Sequence, residues 1–374
     1  MNTLLPILVI FSIPLFMNAY EKKIKLIQWL SPVVCCYAVG ILVGNIPGLN
    51  WDPKLARTLS EGGLMFALPM LLFATDFVRW FKLAKTTIIS FLLLMASVMV
   101  VSFVCGHLFK SYDPEVWKMA GMLVGVYVGG TANLTAIGKI LNIREEAFIA
   151  LNAADVAVGA VYLLMILSLG VKILSLFLKP FNHDLYPEDD MDLLHWKELS
   201  VVHKMRNSTL LMLLCGLLVA VSLLASKIIT GEESAGVVIL SVTVLSLALS
   251  FFHKIRNFEG SQELGHYFLL VFCVGVGSLA DINVLLSGNG WYFLLCGLVL
   301  FGSIVLHFGL CYFLKIDRDT AVITSMAGIF GPAFIPPMSD VLKNRAILVS
   351  GITCALVGIA VGNFVGLFVA YLLK

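Results

Sequence analysis

The sequence predicts an all-α polytopic membrane protein built from two related halves. Of its 374 residues, 60% are hydrophobic and only 13% are charged, with a mean hydropathy of +0.98. Soluble domains contain about 25% charged residues. Apolar stretches long enough to cross a bilayer fill almost the whole chain, which is typical of a helical membrane protein.

Twelve apolar segments carry this prediction, and one polar stretch divides them six and six. The first half comprises residues 1–178, a cytoplasmic polar linker is expected at 179–206, and the second half comprises 207–374. The segments are 3–20, 27–44, 62–78, 87–109, 116–142, 147–172, 207–229, 235–252, 263–280, 291–314, 319–342 and 346–373. The first segment is read as a retained helix, because its basic residues follow it and a cleaved signal has them in front.

Two segments contain helix-breaking residues at their centres. Twenty uncharged residues separate Lys118 from Lys139, and twenty separate Asp319 from Asp340. A shift of 201 positions aligns Gly130 with Gly331. Interrupted segments at matching places in two halves indicate a transporter's substrate site. An ordinary kink with close helix packing is the alternative for each one.

The chemistry of the breaks favours an anion. Freed helix N-termini expose N–H groups and a partial positive charge, and proline suits a first helical turn. The predicted substrate-binding residues are therefore Gly129, Gly130, Thr131, Asn133, Gly331, Pro332, Ala333, Pro336 and Pro337.

The distribution of Lys and Arg bears on whether the broken segments cross the membrane. If both cross, 11 basic residues lie inside and 14 outside; if both are re-entrant hairpins, 17 lie inside and 8 outside. The positive-inside rule prefers hairpins. Each half then has about five spans, the second half is inverted, and both termini are extracytoplasmic.

One acidic residue lies deep inside an apolar segment. Charging Asp155 there costs several kcal/mol, so it needs a cation, a proton or a strong partner. Asn152 lies three residues earlier on the same helical face, and Asn133 and Thr135 are close in sequence. These oxygens would hold a transient Na⁺, or Asp155 would carry a proton. The second half has no acid at the matching position, and it offers Thr353 and Asn363 instead.

No enzyme signature is present. The chain lacks a P-loop, a nucleophile elbow, an HExxH motif and a Cys/His cluster. We therefore expect no catalytic residues, no resident metal and no cofactor. The net charge of +2 does not suggest nucleic acid as a partner.

The motifs "GGTANLTAIGKIL", "NAAD" and "GIFGPAFIPPMSDVL" resemble the YjcL-like family of bacterial and plastid membrane proteins. That family is similar to the cation/proton antiporter and anion transporter superfamily. The resemblance implies an elevator-type carrier with core and scaffold domains, in which Asp155 matches the ion-binding Asp of related antiporters. Phe330 and Phe334 stand where smaller residues are more usual, which suggests a narrower or more apolar pocket.

These observations predict a secondary active transporter in the cell (plasma or inner) membrane. Its cargo would be a small organic anion, amino-acid-like or peptide-like, moved with Na⁺ or H⁺ by alternating access. A monovalent cation/proton antiporter without organic substrate is the first alternative, and a non-transporting sensor or assembly subunit is the second. By analogy with elevator carriers we expect a homodimer.

Overall fold

The computed structural model describes residues 4–21, 23–24, 27, 31–46, 49, 51–73, 77–182, 200–231, 235–280 and 290–374. These residues form helices joined by short connections and include no strand, so the predicted all-α class is confirmed for this part of the chain. The predicted linker lies largely outside the described residues, since 183–199 are not among them.

The helices follow the predicted apolar segments. In the first half they are α1 Leu4–Tyr20, α2 Pro32–Gly44, α3 Pro53–Phe73, α4 Phe77–Leu108, α5 Val116–Gly129, α6 Thr131–Ile140 and α7 Glu145–Met165. A π-helical turn, Ile166–Gly170, and a short helix, Val171–Leu174, extend α7. In the second half they are α8 Val201–Thr230, α9 Ala235–Ser250, α10 Ser261–Gly277, α11 Gly290–Phe313, α12 Arg318–Phe330, α13 Ile335–Leu342 and α14 Leu348–Leu373. A four-residue helix, His253–Arg256, precedes α10, and a 3₁₀ turn, Pro332–Phe334, precedes α13.

Five of the described helical spans are long and apolar enough to cross a membrane. They are Lys85–Leu108, Glu145–Leu174, Val201–Ile229, Gly290–Phe313 and Leu348–Leu373. Four shorter apolar helices accompany them, among them the one that leads into the first predicted break, Val116–Gly129.

The chain forms two compact units, and each unit takes segments from both halves of the sequence. Unit 1 comprises Met1–Phe81, Asn182–Ala280 and Ser339–Val349, and unit 2 comprises Lys82–Phe181, Asp281–Met338 and Ser350–Lys374. Both predicted breaks and Asp155 fall in unit 2. Helix α13 passes from one unit to the other, because the division falls between Met338 and Ser339.

Helix α10 lies at the centre of unit 1 and packs against α1, α2 and α3. Its approach to α2 depends on glycine, since a Cβ on Gly40 would lie 2.3 Å from the carbonyl oxygen of Val274. Such small-residue contacts are the usual means of close helix packing in membranes. Near the end of α13, Asp340 Oδ1 lies 3.1 Å from His266 Nδ1 on α10, within unit 1.

Helices α5 and α12 form the interior of unit 2. All residues from Met119 to Gly129 on α5 are buried, and so are all from Asp319 to Ile329 on α12. A helix that is buried on every side is apolar at most positions. The buried hydroxyl groups of Thr324 and Ser325 on α12 have hydrogen-bond acceptors in the preceding turn. The two helices pack against each other, and each one ends at a predicted break.

Candidate functional site

The first break consists of a single glycine. Helix α5 ends at Gly129 and α6 begins at Thr131, while Gly130 between them has φ 84° and ψ 178°. This backbone region is essentially restricted to glycine. A Cβ on Gly130 would meet no atom within 4 Å, so the backbone conformation, rather than lack of space, requires glycine here.

Helices α5 and α6 form an antiparallel hairpin. Gly129 faces Asn133 and Gly125 faces Ile137, since a Cβ on either glycine would lie within 2.4 Å of that partner's side chain. The contacts continue to the far end of the hairpin, where Lys118 Nζ donates to the carbonyl oxygen of Asn142 at 2.9 Å. The chain therefore returns to the end from which it entered, as the hairpin interpretation of the charge distribution expects.

An ionic cluster closes the base of this hairpin. Glu115 binds Lys118 Nζ at 2.5 Å and Arg144 Nε at 2.9 Å, and Arg144 also pairs with Asp113. Partial burial opposes the ionisation of Glu115, but the hydrogen bonds from Lys118 and Arg144 outweigh it and hold the pKa of this carboxyl below its usual range. The cluster thus joins the start of α5 to the start of α7.

Two glycine stripes hold the hairpin against α14. The stripes have a spacing of four residues and consist of Gly121, Gly125 and Gly129 on α5 and of Gly358, Gly362 and Gly366 on α14. Across them, Asn133 Nδ2 donates to the carbonyl oxygens of Ile359 at 3.2 Å and Gly358 at 3.5 Å. The side-chain nitrogen of the predicted site residue Asn133 therefore ties α6 to α14.

The second break repeats the first. Helix α12 ends at Phe330, and Gly331 has φ 75° and ψ −169°, again in the glycine-restricted region and again with open space around its Cβ position. Pro332 then opens the 3₁₀ turn, and Pro336 and Pro337 lie in the first turn of α13. The predicted break and the predicted position of the prolines are both found.

The helices that lead into the two breaks contact each other within unit 2. A Cβ on Gly328 would lie 2.8 Å from the carbonyl oxygen of Tyr127. Gly328 precedes Gly331 by three residues, and Tyr127 precedes Gly130 by three residues. One helical turn rises about 5.4 Å, so each break lies about one turn beyond this contact.

The predicted ion-coupling residue lies beside the same contact. Asp155 on α7 is only 7% exposed, and its carboxyl is close to the hydroxyl of Tyr127 on α5 and the thiol of Cys296 on α11. The Tyr127 hydroxyl, itself buried, has no hydrogen-bond partner of standard geometry among the described residues. In that part of the chain, Asp155 forms no ion pair. A buried carboxyl group thus has a buried phenol hydroxyl group as its neighbour.

The remaining predicted residues occupy different positions around the breaks. Thr131 is exposed at the start of α6, and Thr135 donates its hydroxyl to the carbonyl oxygen of Thr131 at 3.1 Å. Asn152 lies half-buried on α7, one turn before Asp155, and Ala333 is half-buried in the 3₁₀ turn. Asn363 follows Gly362 on α14, and its buried Oδ1 has no partner in the described structure.

Sequence reasoning missed Tyr127 and Cys296 as neighbours of Asp155. Tyr127 lies within the uncharged stretch before Gly130, so a polar aromatic residue one turn before a predicted break was an available signal. Cys296 gives no such signal, because it lies in an apolar segment and Asp155 is 141 positions away in the chain. The glycine stripes were detectable from their four-residue spacing.

Comparisons with known proteins cover almost the whole chain. The family model described as "Protein of unknown function (DUF819)" matches residues 7–374. A protein of Bacillus subtilis (strain 168), described as "Uncharacterized membrane protein YjcL", is 22% identical over 365 residues. The alignment covers 93% of this chain and 91% of that relative. The predicted resemblance to the YjcL-like family and the membrane class are thereby confirmed.

Proposed function

We propose that this chain, which belongs to the family described as "Protein of unknown function (DUF819)", is a secondary active transporter. It moves a small organic anion, amino-acid-like or peptide-like, coupled to Na⁺ or H⁺. The chain is a multi-pass membrane protein, and we place it in the cell's plasma or inner membrane as a homodimer with extracytoplasmic termini. It acts without a cofactor and without enzymatic chemistry.

One observation carries this proposal: two glycine-only backbone breaks each lie about one helical turn from the contact between α5 and α12, and a buried carboxyl group lies beside that contact. Close helix packing alone does not require backbone breaks at two corresponding positions. Backbone groups at membrane depth need partners, and irregular backbone is tolerated there only when it is buried in protein or lines a cavity. The open space at the Cβ positions of Gly130 and Gly331 favours the second situation.

The first turn of α6 supplies the anion-binding part of the proposed site. Thr131 and Ala132 are exposed at this N-terminus, and no side chain caps it. The initial N–H groups of a helix have no intrahelical acceptor and carry part of the positive end of the helix dipole. A carboxylate placed beside Gly130 accepts these donors. The start of α13 supplies fewer donors, because Pro336 and Pro337 in its first turn have no N–H group.

Asp155 supplies the coupling. A carboxylate at membrane depth is expensive unless a cation or a proton neutralises it. Binding of Na⁺ or H⁺ beside Tyr127 and Asp155 therefore has to precede movement of the loaded site through the bilayer. Unit 2, which contains both breaks, would be the moving core of an elevator, and unit 1 would be the scaffold. This assignment follows the resemblance to the cation/proton antiporter and anion transporter superfamily.

The direct test is transport by purified protein in proteoliposomes. We expect a panel of acetate, lactate, succinate, glutamate and diglycine to include an anion that is taken up only under an inward Na⁺ or H⁺ gradient. Asp155→Asn should abolish gradient-driven uptake, whereas Glu146→Gln, which changes an exposed acid on the same helix, should leave it intact. Uptake by Asp155→Asn at the wild-type rate and with the same gradient dependence would overturn the coupling role.

A cation/proton antiporter is the second candidate, because the neighbouring side chains of Asp155, Tyr127 and Cys296 would hold a cation or a proton without any organic cargo. The same vesicles distinguish the two functions. An enclosed pH-sensitive dye reports Na⁺-driven or K⁺-driven proton movement when no organic solute is present. If cation/proton exchange without organic solute is as fast as it is with the solute present, the antiporter is favoured.

A further inference from the structure

Aromatic rings surround the second break, and their arrangement suggests what the cargo looks like. We infer that Phe330 and Phe334 form a platform that selects a carboxylate bearing a planar apolar ring. This inference rests on the proposed function, since it names the class of cargo for the same site. It adds two specificity-determining residues to the glycines and prolines of the break.

Tyr162 on α7 fixes one face of this platform. Its ring stacks on Phe330 with centroids 5.9 Å apart and an interplanar angle of 6°. Its hydroxyl lies 3.1 Å from Ser325 Oγ, and Ser325 donates its own proton to the carbonyl oxygen of Val322 at 2.8 Å. Tyr162 is therefore the donor to Ser325, and this bond sets the position of a ring that is completely buried.

Phe334 extends the platform beyond Phe330. The two ring centroids are 5.2 Å apart with an angle of 44° between the planes. Such tilted or stacked arrangements, with centroids about 4.5–7 Å apart, are favourable for aromatic pairs. Gly331 lies between the two residues in sequence, and the space around its Cβ position is open. The rings thus stand at the edge of that space.

The exposure of the two rings distinguishes a platform from ordinary core packing. Every residue from Asp319 to Ile329 on α12 is buried, whereas Phe330 and Phe334 are only half-buried. Rings that serve only to fill the interior would be expected to share the burial of Tyr162. The partial exposure begins at the residue directly before the break.

The platform also lies on the Asp155 side of unit 2. Asp155, Gly159 and Tyr162 share one face of α7, at spacings of four and three residues. A Cβ on Gly159 would lie 3.6 Å from the Phe330 ring, so no side chain of α7 intervenes between Asp155 and the rings at this level. A cargo beside Phe330 is then on the same side of α7 as the coupling residue.

The chemistry that fits is a carboxylate carrying an aromatic ring. The carboxylate would bind the helix N–H groups at the breaks, and the ring would pack against Phe334. Aromatic pairs gain about 0.5–1.5 kcal/mol beyond the burial of area alone, which corresponds to about a two- to tenfold preference over a saturated ring of similar size.

The test compares three carboxylates that differ only beyond the same three-carbon chain. Purified protein in lipid nanodiscs is titrated calorimetrically with 3-phenylpropionate, 3-cyclohexylpropionate and propionate. We expect 3-phenylpropionate to bind about two- to tenfold more tightly than 3-cyclohexylpropionate, with propionate weakest. Phe334→Leu should bring the first two affinities together, and Phe334→Tyr, which keeps the ring, should preserve the preference. Phe313→Leu, which removes an exposed ring at the end of α11, is the matched control.

Each outcome of this titration counts for or against the platform. Equal affinities for the two ring compounds in the wild type, or an unchanged preference in Phe334→Leu, would overturn it. Binding of propionate alone, or of none of the three compounds, would do the same. The proposed function is judged separately by gradient-driven uptake in the proteoliposome panel, so the platform can fail while carboxylate transport stands.

Discussion

At the scale of single residues, Gly130 and Gly331 are needed for their backbone conformation and not for lack of space. Both combine a positive φ with an extended ψ, and both have open space where a Cβ would lie. Gly129 is different, because a Cβ there would lie 2.2 Å from Asn133 Nδ2. Two adjacent glycines thus serve two physical purposes, one conformational and one steric.

Gly130→Ala should therefore destabilise the protein through strain alone. A non-glycine residue in this backbone region costs about 1–3 kcal/mol, and we expect the free energy of unfolding to fall by that amount. Gly216→Ala on α8 is the matched control, since its Cβ also meets no atom but its φ is not positive. That change should leave stability equal or raised by up to about 1 kcal/mol. Denaturant unfolding in detergent micelles measures both, and equal effects would contradict the conformational explanation.

The sequence identified residues whose chemistry is unusual for their depth, and it missed residues whose importance depends on a distant partner. An acid inside an apolar run is costly wherever the helix packs, so Asp155 could be recognised without a structure. Tyr127 is unremarkable until α7 and α11 bring a carboxyl and a thiol to its hydroxyl. Apolar periodicity reports depth and helical face, and it does not report which helix lies opposite.

At the scale of elements, the α5–α6 hairpin is held at both ends. The glycine stripe and Asn133 fix its tip region against α14, while Glu115, Lys118 and Arg144 close its base. The helix-breaking residues predicted the tip, because Gly-Gly is a poor choice inside a lipid-spanning helix. The ionic cluster at the base was not predicted, because charged residues at the ends of apolar segments usually just face water.

Stability should depend on pH through Glu115. The ion pairs lower the folded-state pKa of this carboxyl below its unfolded value of about 4.3. Its contribution is therefore complete above that unfolded value and is lost as pH falls through the folded-state value. Glu115→Gln should lower the melting temperature at pH 7, and the difference from wild type should shrink as the medium becomes more acidic than about pH 4.

The control for this prediction is Glu146→Gln, which neutralises an exposed acid at the start of α7. Melting is followed from pH 7 down to about pH 3 in the same detergent for all three proteins. A constant difference in melting temperature between wild type and Glu115→Gln across that range would show that the ionic cluster does not stabilise the protein through the charge of Glu115.

At the scale of the whole molecule, two sequential halves become two interleaved units. Each unit is assembled from both halves, and the two broken segments end up together in unit 2. The alignment of the two halves at a shift of 201 positions predicted that Gly130 and Gly331 occupy equivalent positions. Their similar φ and ψ angles agree with this prediction. Division of the chain at the polar linker did not anticipate the interleaving, because hydropathy gives the order of segments and not their neighbours.

The hairpin makes a prediction about topology that cysteine labelling can test. Lys110 follows α4 and Asn142 follows α6, and both are exposed at the end of unit 2 where the hairpin begins and returns. Lys110→Cys and Asn142→Cys should therefore react with a membrane-impermeant maleimide from the same side, the outside if the positive-inside argument holds. Lys343→Cys should label from the cytoplasmic side, because the second half is predicted to be inverted. All eight native cysteines are buried, so background labelling is expected to be low. Labelling of Lys110→Cys and Asn142→Cys from opposite sides would mean that the first broken segment crosses the bilayer. That result would also contradict the inverted arrangement of the two halves, which depends on the hairpin.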